Sequence, residues 1–121
     1  PSYLFQFMMS RRADAKAVRL EAAQWMERFY TEHNCYHRAS PPCSNTTITV
    51  ALPAYLAASP KEGATKYYNL SLSAVTANTY TLQAAPTGAQ SSDGCKTLTL
   101  TNTGARGLTG SPSKTVDECW R

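Results

Sequence analysis

The sequence predicts an α+β fold in which a long N-terminal α-helix packs on a small antiparallel β-sheet and a disulfide-bounded region closes the C-terminal end. Three observations carry this expectation. Residues 3–30 contain neither Gly nor Pro and are rich in Ala, Leu, Met, Gln, Glu, Arg and Lys, which favour helix. Further on, apolar and polar residues alternate: Tyr68, Leu70 and Leu72 with Asn69, Ser71 and Ser73, then Tyr80, Leu82 and Ala84 with Thr81 and Gln83. Such alternation gives a strand one buried and one wet face. Finally, a chain of 121 residues carries 4 cysteines while Leu, Ile, Val and Phe are sparse, so a thin apolar core needs cross-links.

The length suits one domain over 1–121, divided into a helix at 3–31, a loop at 32–45, an antiparallel sheet within 46–108 and a tail at 109–121. The second half of the helix repeats Ala15, Val18, Ala22, Trp25, Met26 and Phe29 at spacings of three and four, which collects them on one face. Val18, Ala22, Trp25, Met26 and Phe29 are therefore the expected helix–sheet core, with Trp25 beneath the sheet against Leu70, Leu72 and Leu82. Arg12, Lys16, Arg19 and Glu27 are expected elsewhere on the helix. Its first half differs: Tyr3, Leu4, Phe5, Phe7, Met8 and Met9 surround the axis, so one face cannot bury them all. That end calls for other partners, and with Pro1 in place of Met it reads as the continuation of a removed upstream segment.

The loop is rich in Asn, His, Ser and Pro, with Cys35 and Cys43 near its ends. Residues 46–52, 67–75, 79–85 and 97–101 read as strands from their Thr, Tyr, Val and Leu content. Pro53 closes the first of these, and 54–59 has helical composition. The link Thr76-Ala77-Asn78 is short enough to imply antiparallel neighbours. The tail carries Gly, Ser and Lys.

Four cysteines pair in three ways, and their order alone does not choose among them. The preferred arrangement joins Cys35 to Cys43, stapling the loop, and Cys95 to Cys119, tying the chain end to the last clear strand. Disulfides imply an oxidising compartment. His33, Cys35, His37 and Cys43 are all zinc-ligand types within eleven residues, but their spacing lacks the second close pair of a structural zinc site. A disulfide with two exposed histidines is the expectation there, and no cofactor or metal is expected. No nucleophile with a recognisable base and no glycine-rich phosphate loop is apparent, which points away from an enzyme. Asp93, Asp117 and Glu118 read as turn and surface groups. Asn45-Thr46-Thr47 and Asn69-Leu70-Ser71 fit the short acceptor pattern for N-glycosylation.

Twelve Lys and Arg against eight Asp and Glu give a net charge of +4, with the cations scattered rather than gathered in a stripe. That balance is compatible with weak, salt-sensitive DNA association. No apolar run reaches the roughly 18 residues of a spanning helix.

Several stretches resemble the type IV pilins, and among them the PilE-like minor pilins of Gram-negative bacteria. They are Pro1-Ser2-Tyr3, Arg11-Arg12-Ala13-Asp14-Ala15 and Gln24-Trp25-Met26-Glu27-Arg28-Phe29-Tyr30 at the front. At the back they are Tyr80-Thr81-Leu82-Gln83-Ala84-Ala85-Pro86, Asp93-Gly94-Cys95, Asn102-Thr103-Gly104 and Asp117-Glu118-Cys119-Trp120. The resemblance implies an upstream hydrophobic segment, ending in Tyr3, Leu4, Phe5, Phe7, Met8 and Met9, that anchors the precursor and later packs in the filament. It also implies an inner-membrane and periplasmic subunit before assembly, an extracellular pilus afterwards, and other major and minor pilins as partners. Twitching motility, adhesion and DNA uptake would be downstream roles. The alternatives are a pilin that binds DNA or a host surface through exposed basic residues, and a secretion-system pseudopilin. The Cys35 and Cys43 pair departs from the many such pilins that carry only the C-terminal pair.

Overall fold

The computed structural model describes residues 2–61 and 63–120, with the α1 side chains described from Gln6 onward. Helix α1, Ser2–His33, is followed by an irregular stretch, a 3₁₀ turn at Ala54–Leu56, and five strands: β1 Ala58–Ser59, β2 Tyr68–Val75, β3 Tyr80–Pro86, β4 Thr97–Thr101 and β5 Arg106–Thr109. A short helix, α2 Val116–Cys119, lies near the end. The strands form one antiparallel meander in the order β1-β2-β3-β4-β5. Leu72 pairs with Leu82 and Leu82 with Leu100, so the alternating apolar residues share one face. A bulge between Leu72 and Ala74 shifts the register of β2.

Helix α1 covers the apolar face. Ala15, Val18, Ala22 and Met26 are buried with Tyr68, Leu70, Tyr80, Leu82, Ala84 and Leu98. The small Ala15 and Ala22 let the helix backbone approach the strands. Trp25 only flanks this core: it is half-buried, with its ring 5.4 Å from that of Phe29. Met26 takes the central place expected for Trp25, and Phe29, expected in the core, is half-buried between Trp25 and His33.

Two arginines stand where the core stripe would lead one to place apolar groups. Arg12, Ala15, Arg19, Ala22 and Met26 follow one another at spacings of three and four, and all five are buried. Arg12 and Arg19 were expected off this face; Arg12 is paired inside with Asp93, and the Arg19 guanidinium is covered by the Trp120 ring. The segment 46–52 is not a strand. Its Thr49 and Val50 amides both donate to the His37 carbonyl, at 2.9 and 3.1 Å, so it folds back on the preceding loop rather than joining the sheet. Conversely, β1 and β5 were not expected as strands. The β4–β5 turn is closed by the Thr101 amide donating to Ala105 O at 3.0 Å, with Gly104 at φ +85°, a conformation that favours glycine. The tail holds α2, whose start is a capping box between Thr115 and Glu118.

Candidate functional site

The described residues offer three surfaces on α1 and a polar network that positions them. At the N-terminal end, Phe7 and Met9 are 53% and 47% exposed and Met8 is half-buried. The Arg11 guanidinium stands 5.6 Å from the Phe7 ring centroid. The side chains of Tyr3, Leu4 and Phe5 lie outside the described residues.

Just beyond, the buried pair Arg12–Asp93, with Nε 2.8 Å from Oδ2, ties α1 to the turn before Cys95. Asp93, expected as a surface group, is 2% exposed because its other oxygen accepts from the Cys95 amide at 3.2 Å and Gln90 Nε2 reaches Oδ2 at 3.2 Å. Gln90 Nε2 also lies 3.0 Å from the Tyr68 hydroxyl and 3.1 Å from the Met8 carbonyl. A buried carboxylate held this way needs its guanidinium partner. The same turn leads into the disulfide Cys95–Cys119, so the helix, the strand meander and the chain end meet here.

The first flank of α1 faces β1 and the loop before β2. Arg11 stacks on Tyr67 at 3.9 Å, and Lys61 stands 5.7 Å from the Tyr55 ring while pairing with Glu21 at 2.7 Å. Lys66 Nζ is bonded by the carbonyls of Pro60 and Lys61, so its charge organises that loop.

The opposite flank faces β4 and β5. Here the Arg19 guanidinium lies 3.9 Å over the Trp120 ring, and Arg106 stands 5.2 Å from the same ring. Arg19 is fully buried, and none of its three guanidinium nitrogens has a hydrogen-bond partner among the described residues. Burial, with repulsion from Arg106, pulls its pKa down to about 9. Lys16 is lowered as well, chiefly by burial and then by Arg12, Arg19 and Arg106. Trp120 is fixed by its Nε1, which donates to Gly107 O at 3.3 Å and caps the outer edge of β5. Lys96 packs at Gly110 beyond the far end of β5, and Lys114 lies beside Gly94. Lys16 and Arg106 thus stand around Trp120 with Arg19 buried beneath it, whereas the Lys96 ammonium donates to Ser91 O at 2.9 Å and Lys114 lies by Gly94, both at the turn before β4.

A groove of about 480 Å³ opens on this flank between α1 and the β4–β5 hairpin. Leu20, Ala23, Leu100 and Trp120 line it, Lys16 and Arg106 are among its charged residues, and so is Glu27. Lys16 and Glu27 stand eleven positions apart on α1, which at 1.5 Å per residue separates them by roughly 16 Å along the helix axis. The Tyr36 hydroxyl donates to both Glu27 carboxylate oxygens, at 3.0 and 2.9 Å. Burial and Glu27 push Tyr36 up to about 12, and Tyr80 is raised by the same two causes.

The loop after α1 is closed by the disulfide Cys35–Cys43, so neither sulfur is a free thiolate for a metal. His37, expected to be exposed, is 3% exposed because its Nε2 lies 2.6 Å from Asn45 O. His33 stacks on Phe29, with ring centroids 4.4 Å apart. Among the described residues no group of three or more His, Cys, Asp or Glu could hold a metal ion.

Residues 1–99 match the family described as type IV minor pilin ComP, DNA uptake sequence receptor. The fold is similar to the non-core minor pilin PilV of Neisseria meningitidis, with a TM-score of 0.57 and 23% identity over 89% of this chain and 96% of that one. It is also similar to a type IV pilin of Shewanella oneidensis, with a TM-score of 0.55 and 28% identity over 88% of this chain and 99% of that one. No curated protein matches the sequence significantly.

Proposed function

On the premise that the chain belongs to the type IV minor pilin ComP family, we propose that this pilus subunit enters the filament through the apolar end of α1 and contacts DNA through the cationic edge beside β5. Membership makes it a subunit of a structural kind, associated with other pilins in an extracellular pilus. The observation that supports the finer reading is the gathering of Lys16 and Arg106 around Trp120, over the buried Arg19. Cations scattered in sequence are brought to one flank by the fold, where they can neutralise phosphates and release counterions.

Phe7 and Met9 favour the assembly part of this reading. Exposed large apolar side chains on a helix lose hydration cost when neighbouring subunits cover them. DNA contact is then assigned to the flank of α1 beside Trp120 and β5, not to Phe7 and Met9. The test is binding of duplex DNA at two salt concentrations by the wild type and by Arg106→Ala with Lys16→Ala. The expected result is weak binding with a salt slope that falls by about 0.9 per phosphate contact removed. Unchanged binding and slope in the double variant would place the DNA surface elsewhere.

A further inference from the structure

The groove beside Trp120 combines features that a plain solvent-facing cleft does not need. Its wall is apolar, from Leu20, Ala23 and Leu100, and Trp120 presents an indole to it. Lys16 and Arg106 supply positive charge, and Gln24 and Asn102 add amide groups to the lining. Behind the indole sits Arg19, fully buried and with no hydrogen-bond partner among the described residues. A buried guanidinium of this kind is costly, and an anion close by would offset part of that cost. The carboxylates that approach the groove are Glu27, held by the Tyr36 hydroxyl, and Asp117, which lines the neighbouring cleft with Arg106 and Trp120.

We propose that this groove holds one unpaired nucleotide, its base against Trp120 and Leu20 and its phosphate between Lys16 and Arg106. The inference rests on the DNA reading above and deepens it by naming the form of nucleic acid this flank takes. Three considerations select a nucleotide over other occupants. A volume of about 480 Å³ lies within the usual size of a small-ligand site. An aromatic ring beside cations is the arrangement that takes a base and its phosphate together, because every base has a face to stack while the phosphate meets the charge. The Gln24 amide, exposed at the groove, offers the base edge both a donor and an acceptor. A base inside a duplex has both faces stacked on its neighbours, so only a base at a frayed end, in a bulge or in a single strand can lie against the indole.

The test compares a short single strand with a blunt duplex of the same length, by fluorescence anisotropy of labelled DNA at low salt, with Trp quenching as a second readout. Single strand is expected to bind about tenfold tighter than duplex, the scale of one base–aromatic stack. Leu20 is 57% exposed, so its replacement leaves the core intact. Leu20→Glu places a carboxylate at the groove wall and should abolish the preference, whereas Leu20→Gln should retain it. Equal affinity for both DNA forms, or equal weakening of both by Leu20→Glu, overturns the nucleotide groove and leaves the DNA reading standing. Absence of binding to either form overturns the DNA reading and the groove with it.

Discussion

The Arg12 guanidinium and the Asp93 carboxylate form a buried ion pair 2.8 Å apart, joining the first half of α1 to the turn that leads into Cys95. Because both partners are nearly inaccessible, removing one leaves the other charged and unpaired in the interior. Asp93→Ala is expected to cost about 3 to 5 kcal/mol, whereas Arg12→Met combined with Asp93→Leu should recover most of that loss. Urea unfolding of the three variants decides it, and a double variant no more stable than Asp93→Ala would show that the pair does not carry the penalty.

Truncations along α1 should follow burial rather than side-chain size. Met26 is fully buried under the strands while Trp25 sits on the flank. Met26→Ala is expected to cost about 2 to 5 kcal/mol, within the range for buried large-to-small changes, and Trp25→Ala less. The reverse order in denaturant midpoints would move the centre of the core.

Alkaline pH should loosen the end of the helix. In an unfolded chain Tyr ionises near 10, but Tyr36 is raised to about 12 in the fold, first by burial and then by Glu27. A raised folded pKa gives stability that is full below the unfolded value and is lost as pH rises through the folded one. Unfolding free energy should therefore fall between about pH 10 and about pH 12, and Glu27→Gln should shrink that fall. Tyrosinate absorbance followed through the same range checks the titration directly; ionisation of Tyr36 near 10 would contradict the contact.

Strands β2, β3 and β4 were legible because Tyr68, Leu70, Tyr80 and Leu82 alternate with small polar residues, and a period of two has one structural meaning. The long helix was legible from composition, but its buried face was not read fully. Arg12 and Arg19 fit the three-and-four spacing of Ala15, Ala22 and Met26, yet their charge argued for solvent; only the distant Asp93 and Trp120 account for their burial. The spacing itself was the available signal. Residues 46–52 show the opposite failure, since strand propensity there lost to amide bonds with His37 O. In β5, Gly107 weakened the strand pattern, although its small size suits the place where an added Cβ would meet Thr99 Oγ1 at 2.8 Å. The pairing of Lys16 with Arg106 around Trp120 was invisible because the two lie ninety residues apart and meet only where α1 packs beside the β4–β5 hairpin.

Entry of this subunit into a filament through the apolar end of α1 can be measured as its amount in sheared, purified pili. Cells would express the native subunit or one carrying Phe7→Asp with Met9→Asp. Both replaced side chains are about half exposed, so the globular part should remain folded and its disulfides intact. The expected result is normal cellular levels of the variant and its loss from the pilus fraction. Pili that contain the variant at the native level would contradict it.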